Sequence, residues 1–322
     1  MTAPTISRPA HRLPAQQVLG TDIAGAGTVS EALHTASLDW GLNIVDADNL
    51  TIMGDSGVTT TSFPGRRLLM RDDTHTGLGM VGARYEPVDN AAAFALADDA
   101  HALGATFAHA GELDHGRGVF LTMDLPEARV QVGGHDLVDF GVIFRAGHGG
   151  SGGILGEVSG TRLVCTNGMT VGIGRPHQWK IRHTRSAQTQ MDMARVVLQG
   201  AARYAKEFAA IGEQLISEPM GRGEFVAYLD RLYPEPDEDK KASHTRWQQR
   251  RADLLQLFAT AGTQEEGRST RWAAFNAVVE YEDWHRGVRA TGGENADEAR
   301  AARQFRPDTD SHKQQAFDLI RT

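Results

Sequence analysis

Cysteine is nearly absent: Cys165 is the single one in 322 residues. That excludes a disulfide within the chain and a zinc site built on cysteines, and it fits a reducing cytoplasm. No run reaches the about 18 apolar residues that a membrane-spanning helix needs. The opening MTAPTISRPAHRLPAQQVLG has no apolar core of a secretion signal. With Pro4, Pro9 and Pro14, residues 1–20 read as a disordered arm. Internal repeats and low-complexity tracts are missing as well. So is an excess of positive charge: the formal net charge is −8. Any polyanion would have to find a local patch.

Glycine is plentiful, with 36 residues, which points to many turns and hairpins. Thr28-Val29-Ser30-Glu31 has the pattern of a capping box before a short helix. From Leu42 to Tyr85, short β-rich runs are punctuated by Gly and Asp and read as hairpins. Asp89-Asn90 caps an Ala-rich segment, and Ala93, Phe94, Leu96, Ala97, Ala100 and Leu103 give a helix near 89–103 that packs on a sheet. The β pattern then resumes, with turns at Asp114-His115-Gly116 and Gly133-Gly134. After residue 186 the period changes to helical: Ala194, Val197, Leu198, Ala201, Ala205 and Phe208 recur on one face. Further helices are expected over 222–233, 240–260, 269–286 and 310–321, with YPEPDEDKK as a linker or exposed corner. The predicted fold class is α+β: a β-rich part over 21–185, made of antiparallel hairpins with an embedded helix, then a helical region over 186–322.

No catalytic motif survives inspection. Gly149-Gly150-Ser151-Gly152-Gly153 has the spacing of a hydrolase elbow, but a strand-like run follows it where the elbow needs a helix. The same glycines lack the Lys-Ser/Thr of a phosphate loop. His109 and His115 flank a hairpin containing Glu112 and Asp114, without a helical His pair. The carboxylates Asp72-Asp73, Asp98-Asp99 and Asp136/Asp139 would make a nuclease only by converging on a metal. No metal and no cofactor is assigned. The aromatic helix from Arg268 to Trp284 reads as core or subunit interface, with Trp272, Phe275, Val279 and Glu282 on one face.

One absence becomes a clue. No Asp or Glu occurs between Glu157 and Asp192, while Arg162, Arg175, Lys180, Arg182 and Arg185 do. In WKIRHTR a strand places Trp179, Ile181 and His183 on one face and Lys180 and Arg182 on the other. Cations beside an aromatic ring suit a track for a nucleic-acid backbone, with a ring to stack a base. Arg66, Arg67, Arg71, Arg84 and Arg145 would extend it from neighbouring strands. The competing reading is a solvated strand face whose arginines pair with acids elsewhere.

These pieces look familiar. TRLVCTNGM (161–169), WKIRHT (179–184), the Thr270–Trp284 helix and HKQQAFDLIRT (312–322) resemble the phage/plasmid-like protein family, domain of unknown function 932. Arg162, Leu163, Val164, Cys165, Asn167, Ile181, His183, Thr184, Asn276, Ala277, Glu280 and Tyr281 stand at the positions that match its motifs. The resemblance runs from about residue 63 to the end. Asn167-Gly168-Met169 departs from the family's Asn-Thr-Leu, and Trp284, followed by His285, stands where a histidine often does. The resemblance implies a role in mobile-element DNA metabolism inside a bacterial cell. By fold-level analogy it is also similar to phage single-strand annealing proteins.

The expectation is a cytoplasmic, non-enzymatic, oligomeric protein that binds single-stranded DNA as an annealing or recombination accessory. Arg66, Arg67, Arg71, Arg145, Arg162, Lys180, Arg182 and Arg185 would hold phosphates, and Trp179 or His183 would stack or position. A structural or host-interaction phage protein and a metal-dependent nuclease are the alternatives.

Overall fold

The computed structural model describes residues 12–55, 57–149, 153–163, 167–168, 171, 173, 178–181, 187–237, 239–290, 295–305 and 307–322. The chain is α+β, with the antiparallel sheets in its first half and helices in its second. The first half carries α1 (Ala15–Leu19), β1 (Gly20–Asp22), α2 (Val29–Thr35), β2 (Leu42–Asp46), β3 (Leu50–Gly54), β4 (Gly57–Thr61), β5 (Arg66–Arg71) and β6 (Gly77–Gly82). Next come α3 (Asn90–Phe94), α4 (Leu96–Ala102), β7 (Thr106–Leu113), β8 (Gly118–Asp124), β9 (Val130–Val132), β10 (Asp136–Gly147), β11 (Ile154–Arg162), β12 (Asn167–Gly168) and β13 (Gln178–Ile181). The helical half holds α5 (Ala187–Ser217), α6 (Arg222–Leu232), α7 (Lys241–Thr260), α8 (Arg271–Glu280), a π-helical turn (Tyr281–His285), α9 (Ala296–Gln304) and α10 (Pro307–Ile320).

Strands order themselves as β1-β7-β8-β10-β11-β12 in the main sheet, with β9 on β10 and β13 on β11. A separate sheet runs β2-β5-β6, and β3-β4 form a two-stranded hairpin alone. The turn chemistry explains the tight returns. Asp114, His115 and Gly116 all take positive φ between β7 and β8, and Gly133 and Gly134 do so between β9 and β10. Asn, Asp and Gly tolerate that backbone region best, and His is also enriched there.

One face of the main sheet buries Phe140, Val142, Phe144 and Val158 beneath α5. Helix α5 answers with Ala194, Val197, Ala201, Tyr204, Ala205 and Phe208, the spacing of a helix with one apolar face. Tyr204 Oη fixes the backbone of Val171, donating to Val171 O at 2.6 Å and accepting from Val171 N at 3.0 Å. Aromatic contacts continue the core into the helices: Phe208 packs edge-on to Trp272, and Phe225 stacks on Phe258 at 4.2 Å. Helix α8 is buried on all sides, so its aromatic residues are core. The opposite face of the sheet is partly covered by α1 and α9, with Phe120 against Phe305 at 4.9 Å.

Two expectations shift. Of the arm assigned to residues 1–20, residues 1–11 lie outside the described residues, and from Ala15 the chain forms α1 and then β1, because α1 is held by packing on β7 and α9 rather than by any period of its own. The helix expected over 89–103 appears as α3 and α4. Ala95 between them keeps φ −50° and ψ −30°, so the pair continues as one offset helix. Among the described residues no helix is long and apolar enough to cross a membrane.

Candidate nucleic-acid interface

The ladder β10-β11-β13 decides which side chains of the basic stretch share a face. Arg145 pairs with Leu155, which pairs with Lys180, so these three form one row. Ile143, Glu157 and Gln178 form the next row on that face. Phe144, Gly156 and Trp179 form a row on the other face, which α5 covers. Arg162, opposite Val138, also falls on the α5 side.

Parity, burial and ion pairing together correct three of the proposed phosphate contacts. Arg162 is 1% exposed. Its guanidinium grips Asp136 (Nε to Oδ2 2.7 Å, Nη2 to Oδ2 2.6 Å) and donates to Thr263 O at 2.8 Å. Trp272 Nε1 donates to the same Asp136 Oδ2 at 2.8 Å. A charge enclosed in this way fastens β10 and β11 to α8 and cannot reach a phosphate. Arg71 is buried too. It donates to Asp73 at 2.9 and 2.7 Å and to Glu112 at 2.6 Å, and lies 4.4 Å over the Trp40 ring. The hydrogen bond to Arg71 holds the Asp73 carboxyl down at about 2. Arg145 is half-buried, ion-paired with Glu157 at 3.2 Å and set 4.9 Å over the Phe305 ring. Gln178 Nε2 donates to Glu157 as well, at 3.0 Å.

Trp179 is a fourth correction. It is half-buried against the core, and Gly200 of α5 faces its ring so closely that a Cβ there would collide with it. A ring clamped under a helix offers no platform to a base. Arg67 is half-buried and donates to Tyr85 O. Arg66 is exposed, but on the separate β2-β5-β6 sheet. Lys180 is exposed on edge strand β13, beside exposed Leu155 and Gln178. Arg182, His183 and Arg185 lie outside the described residues, as do Cys165 and Ser151.

The carboxylate pairs do not converge. Asp136 and Asp139 fall on opposite faces of β10, the first held by Arg162 and the second by Arg129 Nη2 at 2.8 Å. Asp98 accepts from Val29 N at 2.7 Å. His109, Thr122, Asp124 and Asp139 do line a cleft of about 140 Å³ under the start of α1. Burial lowers the His109 pKa and raises that of Asp124. Among the described residues no three His, Cys, Asp or Glu side chains are grouped for a metal ion.

Sequence reasoning missed a buried charge cluster at the π-helical turn. Glu280, Glu282 and Asp283 are each at most 1% exposed. Lys313 of α10 pairs with Asp283 at 2.7 Å, Arg286 with Glu282 at 2.8 Å, and Tyr233 Oη donates to Glu282 at 2.8 Å. Thr263 Oγ1 donates to Glu280 at 2.5 Å, while Arg12 and His285 approach it at 3.7 and 3.8 Å. Burial pushes the Glu280 pKa up, but the bonds from His285 and Thr263 and the nearby charges of His285 and Arg12 leave it below its ordinary value. The legible signal was the run Glu280-Tyr281-Glu282-Asp283 inside an otherwise apolar helix, which demands partners when buried. The cluster ties α8 to α10 and to the segment before α1.

The family motif residues run through these features: Arg162 in the Asp136 clamp, Asn276 and Glu280 on α8, and Tyr281 at the π turn. The family model described as Domain of unknown function (DUF932) matches residues 77–304. The chain belongs to the DUF932 family. The match takes in the main sheet from β7 onward, α5 to α9, the Asp136–Arg162 clamp and the acids of the π-turn cluster, and it leaves out β1 to β5, α10 and that cluster's partners Arg12 and Lys313. No curated protein and no solved structure matches the chain.

Proposed function

We propose that this DUF932 protein is a non-enzymatic, single-stranded DNA-binding accessory of recombination or annealing. The DNA backbone would run along the outer edge of the main sheet at β13. One observation carries the reading: Lys180 stands exposed on that edge strand, on the face α5 leaves open, within a stretch free of acids. Leu155 beside it is exposed and apolar, a surface on which a base can rest. Directly after β13 the chain continues with Arg182, His183 and Arg185, so the edge strand leads into further cations. The rest of the molecule is net acidic, which confines a polyanion to this edge.

Arg71, Arg145, Arg162 and Trp179 have no part in this binding; they are framework. Contact is then limited to Lys180, Arg182 and Arg185, with His183 to position. Three phosphate contacts give a slope of about −2 in log affinity against log salt for a single strand, at about 0.7 per contact. One chain therefore binds weakly and depends strongly on salt. Fluorescence anisotropy of a labelled oligonucleotide tests the assignment. Lys180→Glu lowers affinity about tenfold at low salt, since one charge-assisted contact is worth roughly 1.5 kcal/mol. Undiminished affinity in that variant would move the site elsewhere.

A further inference from the structure

The hairpin β3-β4 is an element without a place to pack. Among the described residues it packs chiefly on the helical turn Ala47–Asn49 at its base. Two strands alone are marginal in water and need a further surface. The paired segments Leu50–Gly54 and Gly57–Thr61 contain no ionisable residue, so they lack the charges that usually protect a free strand edge. Val58 on β4 is 65% exposed.

The same chain carries an apolar face with nothing on it. In the β2-β5-β6 sheet, Leu69 and Val81 point into the core. On the reverse side Val45, Leu68 and Met80 pair across the three strands as one row. Val45 and Met80 are exposed and Leu68 is half-buried. At the rim stand Arg66 and Arg84, both exposed and, among the described residues, without an ion pair. The hairpin's tip carries the opposite sign in Asp55, also exposed.

Within one chain the two cannot meet. The connector 62–65 is pinned, Phe63 N donating to Ala47 O at 2.8 Å and Arg66 N to Phe63 O at 3.0 Å. That fixes the hairpin's base beside the start of β5 and leaves no length for it to fold back over the sheet. An unpacked uncharged hairpin, an uncovered apolar row and opposite charges at tip and rim therefore complete each other only between copies. We propose that the β3-β4 hairpin of one copy docks on the Val45–Leu68–Met80 face of the next, with Asp55 beside Arg66 and Arg84. The contact joins two different patches, so it either closes as a reciprocal pair or repeats into a ring or a filament. Arg66 thereby belongs to a subunit contact and not to the DNA edge. The hairpin precedes residues 77–304, so it is an addition outside the family match. The inference goes beyond DNA binding and does not rest on it.

Light scattering on the full chain, purified free of nucleic acid, tests this at a series of concentrations. The wild type shows masses above one chain that grow with concentration. Val58→Lys and Met80→Glu alter exposed side chains, and circular dichroism checks that each folds as the wild type does. Each variant alone runs as a single chain, because one half of the contact is lost. Mixed in equal amounts they form a two-chain species and nothing larger, since only one intact contact remains between them. Asp55→Arg weakens assembly without touching an apolar residue. A wild type that stays a single chain at every concentration overturns the proposal. So does a Val58→Lys variant that assembles as the wild type does, which would mean the sheet face pairs with itself.

Discussion

Replacing Arg162 with alanine removes the guanidinium that neutralises Asp136 inside the core. Both side chains are 1% exposed in their ion pair. The Asp136 carboxylate would keep the indole N–H of Trp272, but its counter-charge would be gone. Stripping one partner from a buried pair costs about 3–5 kcal/mol. That is a large share of the about 5–15 kcal/mol that holds a typical domain folded. At roughly 2–4 °C per kcal/mol for a domain of this size class, the melting temperature falls by about 10 °C. Urea titration followed by circular dichroism gives the free energy directly. The double variant Arg162→Met with Asp136→Leu supplies the control. It removes both charges at similar volume and recovers the part of the loss that lies in the orphaned carboxylate, while the indole N–H of Trp272 and the carbonyl of Thr263 lose their partners and keep about 1–3 kcal/mol of it. If Arg162→Ala stays within about 1 kcal/mol of the wild type and instead abolishes DNA binding, the buried-clamp account of this residue is wrong and the phosphate role returns.

Acid will weaken the fold through His148. Its Nε2 donates to Asn90 Oδ1 at 2.7 Å in a buried pocket beside Trp40, and burial pushes its pKa from 6.5 to about 4, against the opposing charge of Asp89. A histidine kept neutral in the fold protonates more readily when unfolded, so its stabilisation is complete above pH 6.5 and fades as pH drops toward 4. The loss is about 3 kcal/mol, read as a falling urea midpoint that is flatter in His148→Gln. Gly200→Ala should cost about 1–3 kcal/mol, because the added methyl meets the Trp179 ring in a packed site; thermal unfolding measures it, and a neutral result would free Trp179 from its assigned packing. In oligonucleotide binding, Arg145→Ala should change affinity far less than Lys180→Glu, since Glu157 already neutralises Arg145.

Much of the architecture was readable because local chemistry set it. The apolar period of α5, the positive-φ turns at Asp114-His115-Gly116 and Gly133-Gly134, and the Thr28 and Asp89 caps all act over a few residues. Helix α1 escaped notice because it is five residues long and held by tertiary packing. The same limit governed the basic stretch. The cations were visible, but acids that bury them were distant: Glu112 lies 41 residues from Arg71, although Asp73 is only two away, and Asp136 lies 26 from Arg162. The alternation of β11 then sent Arg162 to the α5 face, while the edge register of β13 sent Lys180 to the open one. Charge counting puts both on one track, and strand parity separates them. The cations of the π-turn cluster were hidden for a similar reason: Arg12 and Lys313 stand near opposite ends of the chain.

The most direct test of the DNA-edge account is the salt dependence of binding. Labelled single-stranded DNA is titrated with the wild type and with Lys180→Glu over a range of sodium chloride, and log affinity is plotted against log salt. The account predicts a wild-type slope near −2 and a variant slope shallower by about 0.7, one phosphate contact fewer. Absence of binding at the lowest salt, or equal slopes for the two proteins, would contradict it.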